Sequence, residues 1–222
     1  MDVDLCAPDH TTLSRRWQHL DVDLAGSHSG RGTHLIVDST GLTIVGEGEW
    51  ATAKHGCRRR RGWRKLQLGV DESGVIVLQV LTDDRGDDAA AVPGLLDQFE
   101  GDISVFTADT AYNSRAVYAA AGKRGARVVI PPTKAARVRT RPRCKAREET
   151  IARVREVGRR RWKKESGYHQ QDRVENAFYR WKSILGGRLR ARSEEGTAVE
   201  VVLGCNILNG ITELGRPTSD AR

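Results

Sequence analysis

The stretch Thr33–Thr40 (THLIVDST) decides how the chain reads. Leu35, Ile36 and Val37 form an apolar run without alternation, the mark of a strand buried on both faces. The run ends on Asp38, an acid that is costly to desolvate unless something cationic meets it. The pattern recurs at Ile103–Asp109 (ISVFTAD), a second apolar run ending on an aspartate. Ligands of open α/β sheets gather outside the carboxyl ends of the strands. Two aspartates delivered to that edge point to a divalent metal site, whereas either one alone reads equally well as the cap of the following turn.

Working outward, Trp63–Asp71 alternates Leu66, Leu68 and Val70 against polar residues, as a half-buried strand does. Glu72–Gly74 is a tight turn into Val75–Leu81, so the two strands make a hairpin. Asp87 and Asp88 open a helical stretch through Phe99, where acids suit the free amides of a helix start. Ser114–Gly125 reads as a second helix and Arg127–Ile130 as a short strand stopped by Pro131 and Pro132. The first three strands fit an antiparallel meander, and the helix-linked ones run parallel to it. At 222 residues the chain can bury one sizeable core. The expected division is a polar N-terminal segment and linker over 1–32, an α/β domain over 33–215, and a disordered tail over 216–222.

Lys and Arg total 37 against 29 Asp and Glu, giving a net charge of +8 and a pI near 9.6. That balance favours a polyanionic partner, nucleic acid being the commonest. The cations cluster in three blocks. Arg58, Arg59, Arg60, Arg61, Arg64 and Lys65 flank Trp63, and Arg159, Arg160, Arg161, Lys163 and Lys164 flank Trp162. Between them Arg137, Arg139, Arg141, Arg143, Lys145 and Arg147 occupy every second position, which an extended chain would display on one side. Charge runs are most often solvated surface, but three blocks interleaved with tryptophan read as a phosphate-backbone track. The four cysteines lie far apart without a CxxC pair, so a disulfide framework is not indicated. No apolar run approaches ~18 residues, the length of a membrane span, and the expected compartment is the cytoplasm.

A third acid completes the argument. Val174, Phe178, Trp181 and Leu185 mark the apolar face of a helix. At about 100° per residue, Tyr168, Gln171 and Lys182 fall within about 40° of Glu175, along the margin of that face. A helix laid on the sheet would bring a carboxylate there to the sheet's edge.

Several of these pieces resemble one family. VDSTGL at Val37–Leu42, GEGEWATAKHG at Gly46–Gly56, TADTAY at Thr107–Tyr112, RGARVVIPP at Arg124–Pro132 and WKKESGYH at Trp162–His169 are similar to bacterial insertion-sequence transposases with a DDE core, in the branch named after insertion sequence 5. The resemblance runs from about Pro8 to Pro217. It implies a ribonuclease H-like fold, a mixed sheet flanked by helices with a basic insertion before the last catalytic helix. It also implies a catalytic triad of Asp38, Asp109 and Glu175, spaced 71 and 66 residues apart. The implied activity is DNA strand cleavage and transfer, with two Mg²⁺ ions (Mn²⁺ as a substitute) held by the triad. Tyr168 and Lys182 would position phosphate. The partners would be double-stranded DNA, as element ends and target, and further copies of the chain in a homodimer or larger synaptic complex. Two departures stand out. The family's arginine between tyrosine and glutamate is Gln171, and only 37 residues precede Asp38 where relatives carry a longer recognition region. The expected alternatives are therefore an inactive remnant that only binds DNA, and a nuclease of the same fold without strand transfer.

Overall fold

The computed structural model describes residues 7–25, 32–44, 63–83, 86–138 and 144–215. Arg58–Arg61, Arg139, Arg141, Arg143, the GEGEWATAKHG motif and the 216–222 tail lie outside the described residues.

Strand β1 (Thr33–Ile44) is the centre of the sheet. On one side it pairs antiparallel with β2 (Trp63–Val70), which pairs antiparallel with β3 (Ile76–Asp83). The hairpin turn is set by Asp71, whose Oδ1 accepts from the Ser73 and Val75 amides at 2.8 and 3.0 Å. On its other side β1 pairs in parallel with β4 (Ile103–Ala108), and β4 pairs in parallel with β5 (Arg127–Val129). This is the expected mixed sheet. Two features differ from the sequence reading. Asp38 does not end its strand, because β1 continues to Ile44 along β2. A sixth strand, β6 (Arg188–Leu189), then joins β1 in parallel at Thr43 and Ile44.

Both faces of the sheet are covered. Leu35 and Val37 pack with Phe106, Ala108 and helices α2 (Asp88–Asp97) and α3 (Arg115–Lys123). Asp87 caps α2 by accepting from Ala89 N (3.1 Å), and Ser114 caps α3 by accepting from Val117 N (3.2 Å). Arg124 ties the two together through the Leu96, Phe99 and Gly101 carbonyls. On the other face Ile36, Leu42, Leu66 and Leu68 pack against helix α6 (Asp172–Arg180) and helix α7 (Glu194–Glu213). Helix α7 sits close because of Gly204, where an added Cβ would lie 2.4 Å from the Trp181 ring. Asn209 on α7 is 2% exposed and splices the helix to β3. It accepts from Ile76 N and donates to Ile76 O, both at 2.8 Å.

The segment before β1 contains helix α1 (His10–Trp17), which docks on α7 through Trp17 Nε1 donating to Gly196 O at 3.1 Å. The basic insertion forms two helices, α4 (Lys145–Val157) and α5 (Arg159–Ser166). No helix among the described residues is long and apolar enough to cross a membrane.

Candidate active site

The register of β1 and β4 places two acids side by side. Val37 is level with Ala108, the last parallel pair, so Asp38 and Asp109 are the next residues on adjacent strands. Alternation from Ile36 and Thr107 turns both toward the face where α6 carries Glu175 in its first turn. One oxygen of each aspartate is held by the backbone, Asp38 Oδ1 by Ser39 N and Asp109 Oδ1 by Ala111 N, both at 2.8 Å. The Asp109 contact caps the 3₁₀ turn Thr110–Tyr112, so this acid is a turn cap and a site residue at once.

Electrostatics link the three acids. Burial pushes the Asp38 carboxyl up to about 6, and the carboxylates of Asp109, Glu175 and Asp88 push the same way against the Ser39 amide. Tyr168 is pushed up to about 12, first by burial and then by Asp109, Glu175 and Asp38. Its hydroxyl therefore shares the field of all three acids. Beside Glu175 a cavity of about 470 Å³ is lined by Lys163, Lys164, Tyr168, His169 and Gln171. Lys163 Nζ stands 4.6 Å from the Tyr168 ring centroid, a cation–π contact.

The helix bearing Glu175 is not one continuous wheel. Tyr168–Gln171 is a 3₁₀ turn, α6 is regular to Arg180, and Trp181–Leu185 is a π-helical turn. The phasing argument thus holds inside α6 but not for its flanks. Tyr168 still faces the acids. Gln171 instead turns inward, 2% exposed, and donates through Nε2 to Val37 O at 3.3 Å, while its Oε1 has no partner. Lys182 is exposed on the π turn, and it is not among the charges that act most on Asp38 or Tyr168.

Several predicted DNA-binding cations have partners within the protein. Arg64 pairs with Asp83, and Lys65 Nζ reaches Asp88 Oδ1 (3.0 Å) and Gly86 O (2.8 Å). Arg159 donates to Pro132 O, and Arg161 to Glu165 (2.7 Å). Trp162 is buried. The alternating row does not stay extended, because Lys145 and Arg147 belong to α4, and Arg147 Nε donates to Asn113 Oδ1 at 2.8 Å. Arg137, Arg160 and Lys164 are exposed, and Lys163 is half-buried beside Tyr168.

Asp88 was read as a plain helix-start acid, yet its charge acts on both Asp38 and the buried Tyr112. No sequence signal separates that role from N-terminal helix chemistry, since a first-turn acid needs no further reason.

A family model described as a transposase DDE domain matches residues 29–209. The chain belongs to the DDE transposases. A second model with the same description matches residues 1–47. For this transposase the mixed six-stranded sheet flanked by helices is the ribonuclease H-like architecture of the family.

Whether the residues suit divalent metal is a matter of donor chemistry and field. Three carboxylates are hard oxygen donors of the kind Mg²⁺ takes alongside water and substrate oxygens. The raised Asp38 marks a site short of positive charge. No three acid, His or Cys side chains among the described residues form a ready-made coordination cluster. The acids share a field without sharing a coordination sphere, and their residue types fit the ion.

Proposed function

We propose that the transposase cleaves DNA and transfers the cut strand, with Asp38, Asp109 and Glu175 as its metal-holding acids. The observation that carries this reading is the register that sets Asp38 and Asp109 side by side on β1 and β4, with Glu175 in the first turn of α6. The Asp38 carboxyl is raised to about 6 by burial first and then by Asp109, Glu175 and Asp88. When bound, two Mg²⁺ ions would neutralise that field and supply Lewis-acid stabilisation to the entering and leaving oxygens of an in-line displacement. Asp38 on β1, Asp109 after β4 and Glu175 on α6 would hold the ions. Tyr168 and Lys163 orient the phosphate beside Glu175, and Lys182 reaches it from the π turn. Exposed Arg160 and Lys164 hold the duplex on the same side. Further copies of the chain would assemble on element ends and target, in the cytoplasm where the DNA lies.

A second reading, a DNA-binding remnant without chemistry, is favoured by one observation. Gln171 is spent on Val37 O and stands where the family's arginine would add a charge. Nicking of supercoiled plasmid in Mg²⁺ decides between them. The wild type should nick, and Asp38→Asn should lose ~10³-fold or more, since metal-held charge stabilisation is worth several kcal/mol. Duplex binding should persist in the variant. A wild type that binds DNA but never nicks it in Mg²⁺ or Mn²⁺ establishes the remnant. Joined products separate strand transfer from simple hydrolysis.

A further inference from the structure

Arg188, Arg190 and Arg192 form a row that belongs to none of the three basic blocks. Exposure alternates from Arg188 to Ser193, with Leu189 buried in the α6–α7 core and the arginines outward. The backbone is fixed from three sides. Arg188 and Leu189 pair with Thr43 and Ile44. Leu189 is 1% exposed. Glu200 on α7 accepts from the Arg190 amide at 2.9 Å and the Ala191 amide at 2.8 Å. Glu200 is therefore spent on backbone amides. The Arg190 and Arg192 guanidinium groups have no partner among the described residues.

The same corner carries an exposed aromatic. Thr43 is level with Arg188 on one side and with Trp63 on the other, so Arg188 and Trp63 flank it on one face, about 10 Å apart at ordinary strand spacing. Trp63 is 49% exposed. Its ring lies over Gly41 of β1, where an added Cβ would meet it at 2.8 Å. Arg190 and Arg192, just past β6, lie two residues apart with Cα atoms at most ~7 Å from each other, comparable with neighbouring phosphates along a nucleic acid strand. Arg188 lies five residues, or ~17 Å, along β1 from Asp38.

We propose that this corner is a second DNA-contact surface of the transposase, distinct from the cavity beside Glu175. Arg190 and Arg192 take consecutive phosphates of a strand flanking the cut, and Trp63 packs on an adjoining sugar or unpaired base. The proposal rests on the DNA reading above and adds to it a surface on the far side of the sheet edge from the acids.

Fluorescence anisotropy on a labelled duplex of arbitrary sequence, titrated across salt, tests it. The Arg190→Ala/Arg192→Ala double variant should lose ~1.8 from the slope of log affinity against log salt, one 0.9 unit per phosphate. Arg190→Lys/Arg192→Lys should keep the slope. Trp63→Ala should weaken binding with the slope unchanged, by roughly 5- to 100-fold as for other lost stacking contacts. Arg153→Ala/Arg155→Ala, which removes cations already tied to Glu165 and to the Ala136 carbonyl, should leave both readings alone. Unchanged melting curves establish that the variants are folded. If the wild type binds and the alanine double keeps its slope, or the Arg153/Arg155 control loses as much, this surface is overturned while the DNA reading stands. A wild type that binds no duplex overturns both.

Discussion

Residues 137–147 and residues 188–192 both carry a cation at every second position, yet the two rows end in different surroundings. In the first, Lys145 and Arg147 are wound into α4, where Ile151 and a half-buried Val154 give the segment a helical face to bury. Arg147 is turned inward to Asn113 and lies near Glu148. In the second, Arg188 and Leu189 form a strand because β1 offers an edge at Thr43 and Ile44, and Ser193 starts α7 soon afterwards by accepting from Gly196 N at 3.1 Å. A two-residue period is a property of the sequence. Whether it is displayed depends on whether a strand edge is there to receive it.

The comparison is broken most directly at Arg147. If the first row is structural, Arg147→Ala should cost ~1.5–3 kcal/mol in chemical denaturation, the usual worth of a partly buried hydrogen bond from a charged group. Its DNA affinity and salt slope should match the wild type. A variant of normal stability but flattened salt slope would return Arg147 to the DNA track.

A second effect separates the rows from the acids. The Asp38 carboxyl is raised from 3.8 to about 6 in the folded chain, so the folded state holds its proton more tightly than the unfolded state does. Its contribution to stability is intact below about pH 4 and is lost as pH rises through 6. Relative to wild type, Asp38→Asn should therefore gain thermal stability across that window and little below it. Arginine does not titrate there, so slopes owed to Arg190 and Arg192 should be the same at pH 5 and pH 7.5. A wild-type melting temperature that tracks the variant's across pH 4–7 would remove the upward shift of Asp38 owed first to burial and then to the neighbouring acids.

The smallest effect belongs to the exposed cations of α5. Arg161→Ala removes an i,i+4 pair with Glu165 on the surface, and its stability change should stay within ~0.5 kcal/mol by denaturant titration. A larger loss would place α5 in the structural class with Arg147.

Much of the fold was legible from local pattern. The hairpin was marked by alternation and a Gly turn, α2 and α3 by their caps, and β4 by an apolar run ending in Asp109. Strand β6 was not legible, since two residues of Arg188–Leu189 carry no period of their own and form only against β1. The same holds for the break-up of the Glu175 helix. Its apolar spacing continues through Trp181 and Leu185, while packing against Gly204 accompanies a wider π turn there.

The sequence by itself determined the α/β class, the two strand-borne aspartates and the glutamate on a helix, because apolar runs and a helical apolar period fix the elements that carry them. Tertiary structure alone decided that Asp88 joins their field, that Gln171 turns inward to the Val37 carbonyl, and which arginines are occupied within the chain. The reason is range. Backbone propensity and hydrophobic period act over a few neighbouring residues. The partners of a charged side chain are fixed by whichever distant strand or helix arrives beside it, as Asn113 does for Arg147 and Glu200 does for the backbone of Arg190.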